Sequence, residues 1–159
     1  MIKTKVIGRV FRQDEIADQI YDMWIETDLS LQATPGQFIS VYTQDKSTLL
    51  PRPISICEVD RENHRLRIVY RVAGKGTREF SGYHAGASID ILGTLGNGFP
   101  LEAAKGKKAF LMGGGIGIPP MLELAKELDC DKDIIVGYRN SELFLADELT
   151  RYGNLYIAT

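Results

Sequence analysis

Cysteine and histidine are scarce in this 159-residue chain, with two of each. The scarcity removes several chemistries at once. Cys57 and Cys130 lie far apart and show no metal-ligand spacing. An iron–sulfur cluster needs four ligands, so the chain cannot hold one by its own thiolates; each cysteine reads as a small buried hydrophobe. His64 and His84 stand in polar, turn-like settings and make no ligand pair. No metal site and no catalytic side chain is expected. An excess of positive charge is missing too: 19 Lys and Arg against 21 Asp and Glu give a net charge of -2. There is no basic footprint for nucleic acid. No apolar run is long enough to cross a membrane, and Met1-Ile2-Lys3-Thr4-Lys5 opens into strand-like sequence without the apolar core of a signal peptide. A cytoplasmic address is expected. What is present, 44% hydrophobic and 25% charged residues, is the composition of a globular protein long enough for one domain or two small lobes.

The stretch Leu50-Pro51-Arg52-Pro53-Ile54-Ser55-Ile56 places an arginine, two prolines and a serine in an otherwise apolar, strand-like run. Alternation puts Arg52 and Ile54 on one face and Pro53 and Ser55 on the other. A guanidinium in such a run calls for an anion, and a pyrophosphate suits its planar fork. Pro53 cannot donate to a sheet ladder, so the strand belongs at an edge or a barrel opening. The plainer alternative is an edge strand with one solvated arginine and one capping serine.

Around this stretch the pattern is β. Residues 4–10, 19–26 and 38–42 are strand candidates rich in β-branched and aromatic residues, with turn chemistry at Pro35-Gly36. Tyr21 and Trp24 read as core or rim aromatics. Residues 54–59 and 66–72 form a hairpin that brings Tyr70 and Arg71 near Arg52 and Ser55. Gly74-Lys75-Gly76-Thr77 then opens a short helix over 78–83, with Thr77 as its N-cap, and free N–H groups at such a start attract phosphate. A simple strand-to-helix turn is the alternative. Residues 88–92 form a further strand, followed by a glycine-rich stretch to Pro100 in which Phe99 is available to cover a planar ring. Short strands at this spacing predict a small antiparallel barrel over 1–102.

Beyond a polar linker the rhythm becomes β-α-β over 107–159. Residues 108–112 form a strand and 121–128 a helix, and Gly113-Gly114-Gly115-Ile116-Gly117-Ile118-Pro119-Pro120 lies between them. Gly115 and Gly117 match the start of a dinucleotide fingerprint, with Pro120 in the third glycine's place; proline is tolerated in a first helical turn. Strands at 134–138 and 154–158 with a helix over 141–150 complete half of a doubly wound sheet. Arg139 and Asn140 follow a strand's carboxyl end, where ribose groups bind in such sheets.

These pieces in this order resemble the ferredoxin reductase superfamily, and within it the electron-transfer subunits of bacterial NAD-linked dihydroorotate dehydrogenase. The resemblance rests on Arg52-Pro53-Ile54-Ser55, Tyr70-Arg71-Val72 with Gly74-Lys75-Gly76-Thr77, Leu95-Gly96-Asn97-Gly98-Phe99-Pro100, and the glycine–proline turn of residues 113–120. It implies a six-stranded antiparallel barrel of Greek-key type that binds FAD, followed by a partial Rossmann-like α/β lobe that binds NAD(H). By the same resemblance Arg52 holds the FAD diphosphate and Gly76 and Thr77 add phosphate or flavin contacts. Pro53, Ile54, Val69, Tyr70 and Arg71 line the flavin, and Ser55 sits near the hydride-accepting N5. Gly114, Gly115 and Gly117 meet the nicotinamide nucleotide. Ser55 and Arg52 fall on opposite strand faces, so both roles require a twist or a strand end.

The implied activity is electron transfer from NAD(H) through FAD and a [2Fe-2S] cluster to an FMN-containing catalytic subunit acting on dihydroorotate in pyrimidine biosynthesis. The chain matches only the N-terminal part of that pattern: the cysteine-rich segment that ligates the cluster and the rest of the lobe are absent. The first lobe strand, residues 108–112, is then an exposed edge that invites self-association. Two alternatives stay open: the flavin subunit of a hydrogenase or ferredoxin–NADP reductase, and a binding or docking module without turnover.

Overall fold

The computed structural model describes residues 3–159; Met1 and Ile2, where the strand-like opening begins, lie outside the described residues. Six antiparallel strands close into a barrel: β1 (Lys5–Ala17), β2 (Ile20–Glu26), β3 (Phe38–Tyr42), β4 (Arg52–Asp60), β5 (Arg65–Arg71) and β6 (Ser88–Leu95), in the order β1-β2-β5-β4-β3-β6. A short helix, α1 (Lys75–Ser81), links β5 to β6. A three-stranded parallel sheet follows, from β7 (Ala109–Gly114), β8 (Lys132–Gly137) and β9 (Asn154–Ala158), with helices α2 (Pro120–Glu127) and α3 (Ala146–Leu149).

Alternation builds the barrel core. Met23 and Ile25 from β2, Ile54 and Ile56 from β4, and Leu66, Ile68 and Tyr70 from β5 point inward with Phe80 of α1. β1 runs seven residues beyond the expected 4–10, because register shifts after Val10 and Glu15 bend it from β6 onto β2. Such bulges increase local twist, and the polar stretch they join carries no alternation by which to read it as strand.

The parallel sheet does not stand apart from the barrel. Ala17, Ile20, Cys57 and Val69, on the barrel's outer face, share a second core with Leu111, Ile118, Leu122, Ile134 and Leu149 of the lobe. One outer quadrant, β2-β5-β4, is therefore covered, and β5 is buried on both faces along residues 66–70. Cys57 is fully buried, and burial pushes its thiol well up, in keeping with a packing role.

Two helix expectations are corrected. The first helix starts at Lys75, with Gly74 as the N-cap, and Thr77 lies inside it. The Thr77 hydroxyl oxygen turns back to accept the N–H groups of Ala73 at 2.8 Å and Gly74 at 3.2 Å. In the lobe, the helix expected over 141–150 is confined to α3, four residues. The Asn140 side chain accepts the Glu142 N–H at 3.0 Å, and Leu145 adopts a left-handed φ of 64°, so the chain turns before it can wind. Among the described residues no helix is long and apolar enough to cross a membrane.

Candidate functional site: a cleft where two strands part

β4 and β5 pair from Ile56 opposite Ile68 to Asp60 opposite Arg65, and no further. Residues 52–55 pair only with β3, and residues 69–71 only with β2. The hairpin therefore opens at one end of the barrel. Pro53 lies in this singly paired part of β4, where a missing N–H is least costly.

The parting strands enclose a cavity of about 310 Å³, lined by Arg52, Pro53, Ile54, Ser55, Val69, Tyr70, Arg71, Ala73, Thr77 and Ile116. Eight of the twelve residues singled out in the sequence meet here. The alternation argument holds: Ile54 and Ile56 are buried while Pro53 and Ser55 are exposed. Arg52 and Ser55 nevertheless line one cavity, because Arg52 is the first residue of β4, at the barrel rim. A strand end resolves the conflict. Ile54, at 8% exposure, belongs mainly to the barrel core.

Arg52 also lines a second cavity of about 410 Å³, with Ser47, Thr48, Leu49, Leu50 and Lys75. It thus stands at the junction of two cavities. A Cβ at Gly76 would lie 3.0 Å from both Cγ and Nε of Arg52; glycine here lets the guanidinium cross the start of α1. The wall of the second cavity is tied to α1 by Glu79, which accepts the N–H groups of Gln44 at 2.7 Å and Asp45 at 2.9 Å and the Tyr83 hydroxyl. Burial alone would raise the Glu79 carboxyl, but these donors hold it low. Arg52, Arg71 and Lys75 form no ion pair among the described residues. Three cations without a carboxylate partner around the two adjoining cavities favour an anionic ligand.

Tyr70 is fixed in its wall. Its hydroxyl donates to Gln13 Oε1 at 2.6 Å, its ring stacks on Tyr21 with centroids 5.9 Å apart, and burial pushes its pKa up. Tyr70 is therefore a neutral wall of the cleft.

The glycine turn is placed differently from the other candidates. Gly115, with a φ of 53°, lines a small cavity of about 70 Å³ between lobe and barrel, with Arg71, Tyr138, Arg139 and Asn140 among its walls. Gly114 and Gly117 line none of the cavities described here, and a Cβ on either would meet nothing within 4 Å. The crowded glycine is Gly113, whose Cβ would lie 2.9 Å from the Gly117 carbonyl oxygen. Pro120 takes the first helical position, as expected. Phe99 is not brought to the cleft; it packs on Gly36 and borders a separate groove beside β7. Lys75, residues 47–50 and Ile116 were missed, since nothing in their spacing tells which loop folds over which strand.

Comparison with known proteins accords with this geometry. No family model matches the chain. Across the whole chain it is 41% identical to an electron-transfer subunit of dihydroorotate dehydrogenase B (NAD(+)) from Listeria innocua, covering 64% of that protein. Over 94% of the chain it is 40% identical to the subunit of the same name from Streptococcus mutans and 42% identical to that from a Geobacillus species, covering 60% and 61% of them. The chain is a homologue of these electron-transfer subunits. It spans less than two thirds of the length of these relatives. A solved NADH-dependent reduced ferredoxin–NADP oxidoreductase, described for flavin-based electron bifurcation, superposes with a TM-score of 0.82 at 27% identity, over 96% of this chain and 56% of that one. The ferredoxin–NADP+ reductase of Plasmodium falciparum, at 14% identity, shares the fold with a TM-score of 0.82 over 97% of this chain and 70% of that one. The barrel with its partial lobe is thus ferredoxin reductase-like.

Proposed function

We propose that the β4–β5 cleft holds FAD and that the chain passes electrons between NAD(H) and that flavin. The observation that carries the reading is Arg52, unpaired and standing between two cavities. A dinucleotide has this shape: a planar ring at one end, adenosine at the other and a diphosphate between them. Volumes of about 310 and 410 Å³ lie within the usual range for ligand pockets. Bound FAD supplies the exchange between two-electron and one-electron chemistry; the protein binds, orients and shields it. Arg52 would fork onto the diphosphate, with Gly76 giving it room and the first-turn N–H groups at Gly76 and Thr77 adding donors. Pro53, Ile54, Ser55, Val69, Tyr70 and Arg71 would wall the ring side, with Ser55 nearest the hydride-accepting nitrogen. Ile116 would close it from the lobe. Gly114, Gly115 and Gly117 would receive the nicotinamide nucleotide.

In this reading residues 1–102 are the flavin domain and 107–159 part of the nucleotide domain of a cytoplasmic electron-transfer subunit. Its partner is the FMN-containing catalytic subunit of a dihydroorotate dehydrogenase of pyrimidine biosynthesis. Any [2Fe-2S] cluster must draw ligands from outside these 159 residues, since Cys57 and Cys130 are the two cysteines among them and four ligands are needed. The relatives' shared name, which specifies NAD(+), favours NAD(H) over NADP(H) and over the hydrogenase and ferredoxin–NADP reductase alternatives.

The chain also self-associates in this reading. Among the described residues β7 pairs with β8 alone, and Phe110 and Met112 on it are 66% and 71% exposed; such an edge invites another strand. The function is tested by flavin titration. FAD binds one per chain and FMN, which lacks the diphosphate link and adenosine, binds at least tenfold more weakly. Equal affinities would refute the role given to Arg52.

A further inference from the structure

On the barrel face covered by the lobe, Arg67 of β5 is buried, at 5% exposure. Its Nε and Nη2 donate to the two Asp22 carboxylate oxygens at 2.9 and 2.7 Å. Nη1 donates to Glu58 at 3.0 Å and to Glu148 at 2.6 Å, and Nη2 donates again to Glu148 at 3.0 Å. All five guanidinium N–H groups are thereby used. Asp22 and Glu58 belong to the barrel, as Arg67 does, whereas Glu148 reaches across from α3. From α2, Lys126 crosses the same seam to Glu58 at 3.3 Å. Burial alone would lower the Arg67 pKa, but the hydrogen bonds to Glu148 and Asp22 carry it upward; Arg67 in turn holds the Glu148 carboxyl low.

Apolar contacts along the seam are non-directional and tolerate sliding. A saturated planar fork does not: a shift of the lobe by about an ångström would leave buried charge unpaired, which is strongly unfavourable. Val69 and Arg71 share the outer face of β5 with Arg67 and line the cleft with Ile116. At roughly 3.3 Å per strand residue, the fork lies about 13 Å from Arg71 along one rigid strand. Where the fork holds α3 therefore decides where the lobe's glycine turn stands against the cleft.

Building on the flavin reading above, we infer that the Arg67–Glu148 pair is a positioning device that fixes the nucleotide lobe over the flavin cleft. Arg67 and Glu148 act through the lobe and touch no cofactor. Trp24 gives an independent probe: it is the single tryptophan of the chain, and the Arg67 guanidinium lies 5.6 Å from its ring centre.

The test compares the full chain with Glu148→Ala and Glu148→Gln. Glu148→Ala shifts Trp24 emission and accelerates protease nicking in residues 101–107, while FAD affinity stays within about threefold. The rate at which NADH reduces bound flavin falls at least tenfold, and Glu148→Gln, which keeps an acceptor, restores part of it. Unchanged emission and nicking in Glu148→Ala would overturn the inference. So would altered emission and nicking with an undiminished reduction rate. Should the parent chain bind no flavin, the functional reading fails by itself, and emission and nicking still decide whether Glu148 holds the lobe.

Discussion

Glu123 makes the stability of the protein depend on pH. It lies on α2 at 1% exposure, with Oε2 accepting the Val59 N–H of the barrel at 2.9 Å and Oε1 without a partner. Burial first, and then the neighbouring Glu127 carboxyl one turn on, push its carboxyl from 4.5 up to about 8. Lys126 and the Val59 N–H oppose the rise, and Arg61 approaches Glu127 at 3.4 Å. A raised acid binds its proton more tightly in the folded state. The stability it contributes is full below the unfolded value of 4.5 and is lost as pH climbs through about 8. At about 1.4 kcal/mol per pKa unit, the shift sets an upper bound of about 5 kcal/mol on the loss. Glu123→Gln retains a carbonyl for Val59 and removes the titration. Urea unfolding between pH 5 and 9 is expected to show the parent losing stability with rising pH and the variant losing distinctly less. Parallel profiles would mean that Glu123 is not the buried acid described here.

Arg52→Ala removes a charge-assisted fork and is expected to weaken FAD binding by about 2 kcal/mol, near thirtyfold, with unfolding unchanged; fluorescence titration reads it. Gly113→Ala drives a Cβ to 2.9 Å from the Gly117 carbonyl and 3.1 Å from the Ile118 Cα. Backbone cannot give way as a side chain can, so a loss of about 1–3 kcal/mol in urea unfolding is expected. Met112→Lys places a charge on the open β7 edge and is expected to reduce self-association in sedimentation. Glu148 titrates in the opposite sense to Glu123: its lowered carboxyl contributes stability above the unfolded value and loses it as pH falls, so Trp24 emission in the parent shifts on acidification below about pH 4.5.

Much of the architecture was legible because its causes are local. β3 and β9 fall on the expected residues, since alternation and flanking turns bound them. β1 extends beyond the expected residues 4–10 because Arg12, Gln13, Asp14 and Glu15, which are polar, have their strand state imposed by pairing with β2. The helix before Thr150 is shorter than its pattern predicts because Asn140 and the left-handed Leu145, which stop it, act through turn geometry that periodicity does not record.

The cleft was legible from Arg52 because a charge in an apolar run demands an explanation. Arg67 in Leu66-Arg67-Ile68-Val69-Tyr70 carries the same signal. Its answer lies in Asp22, Glu58 and Glu148, distant in sequence and joined only by docking of the lobe. Phe99 illustrates the reverse: an aromatic in a glycine-rich stretch looked like a ring cover, yet the turn at Gly36 takes it elsewhere.

We propose that this chain moves electrons between a nicotinamide nucleotide and FAD in the β4–β5 cleft. The most direct measurement is the visible spectrum of the FAD-loaded chain under anaerobic addition of NADH. Bleaching of the flavin bands is expected, faster with NADH than with NADPH, and slower in Glu148→Ala. FAD held one per chain in a folded protein, with a spectrum that NADH leaves unchanged, would contradict it.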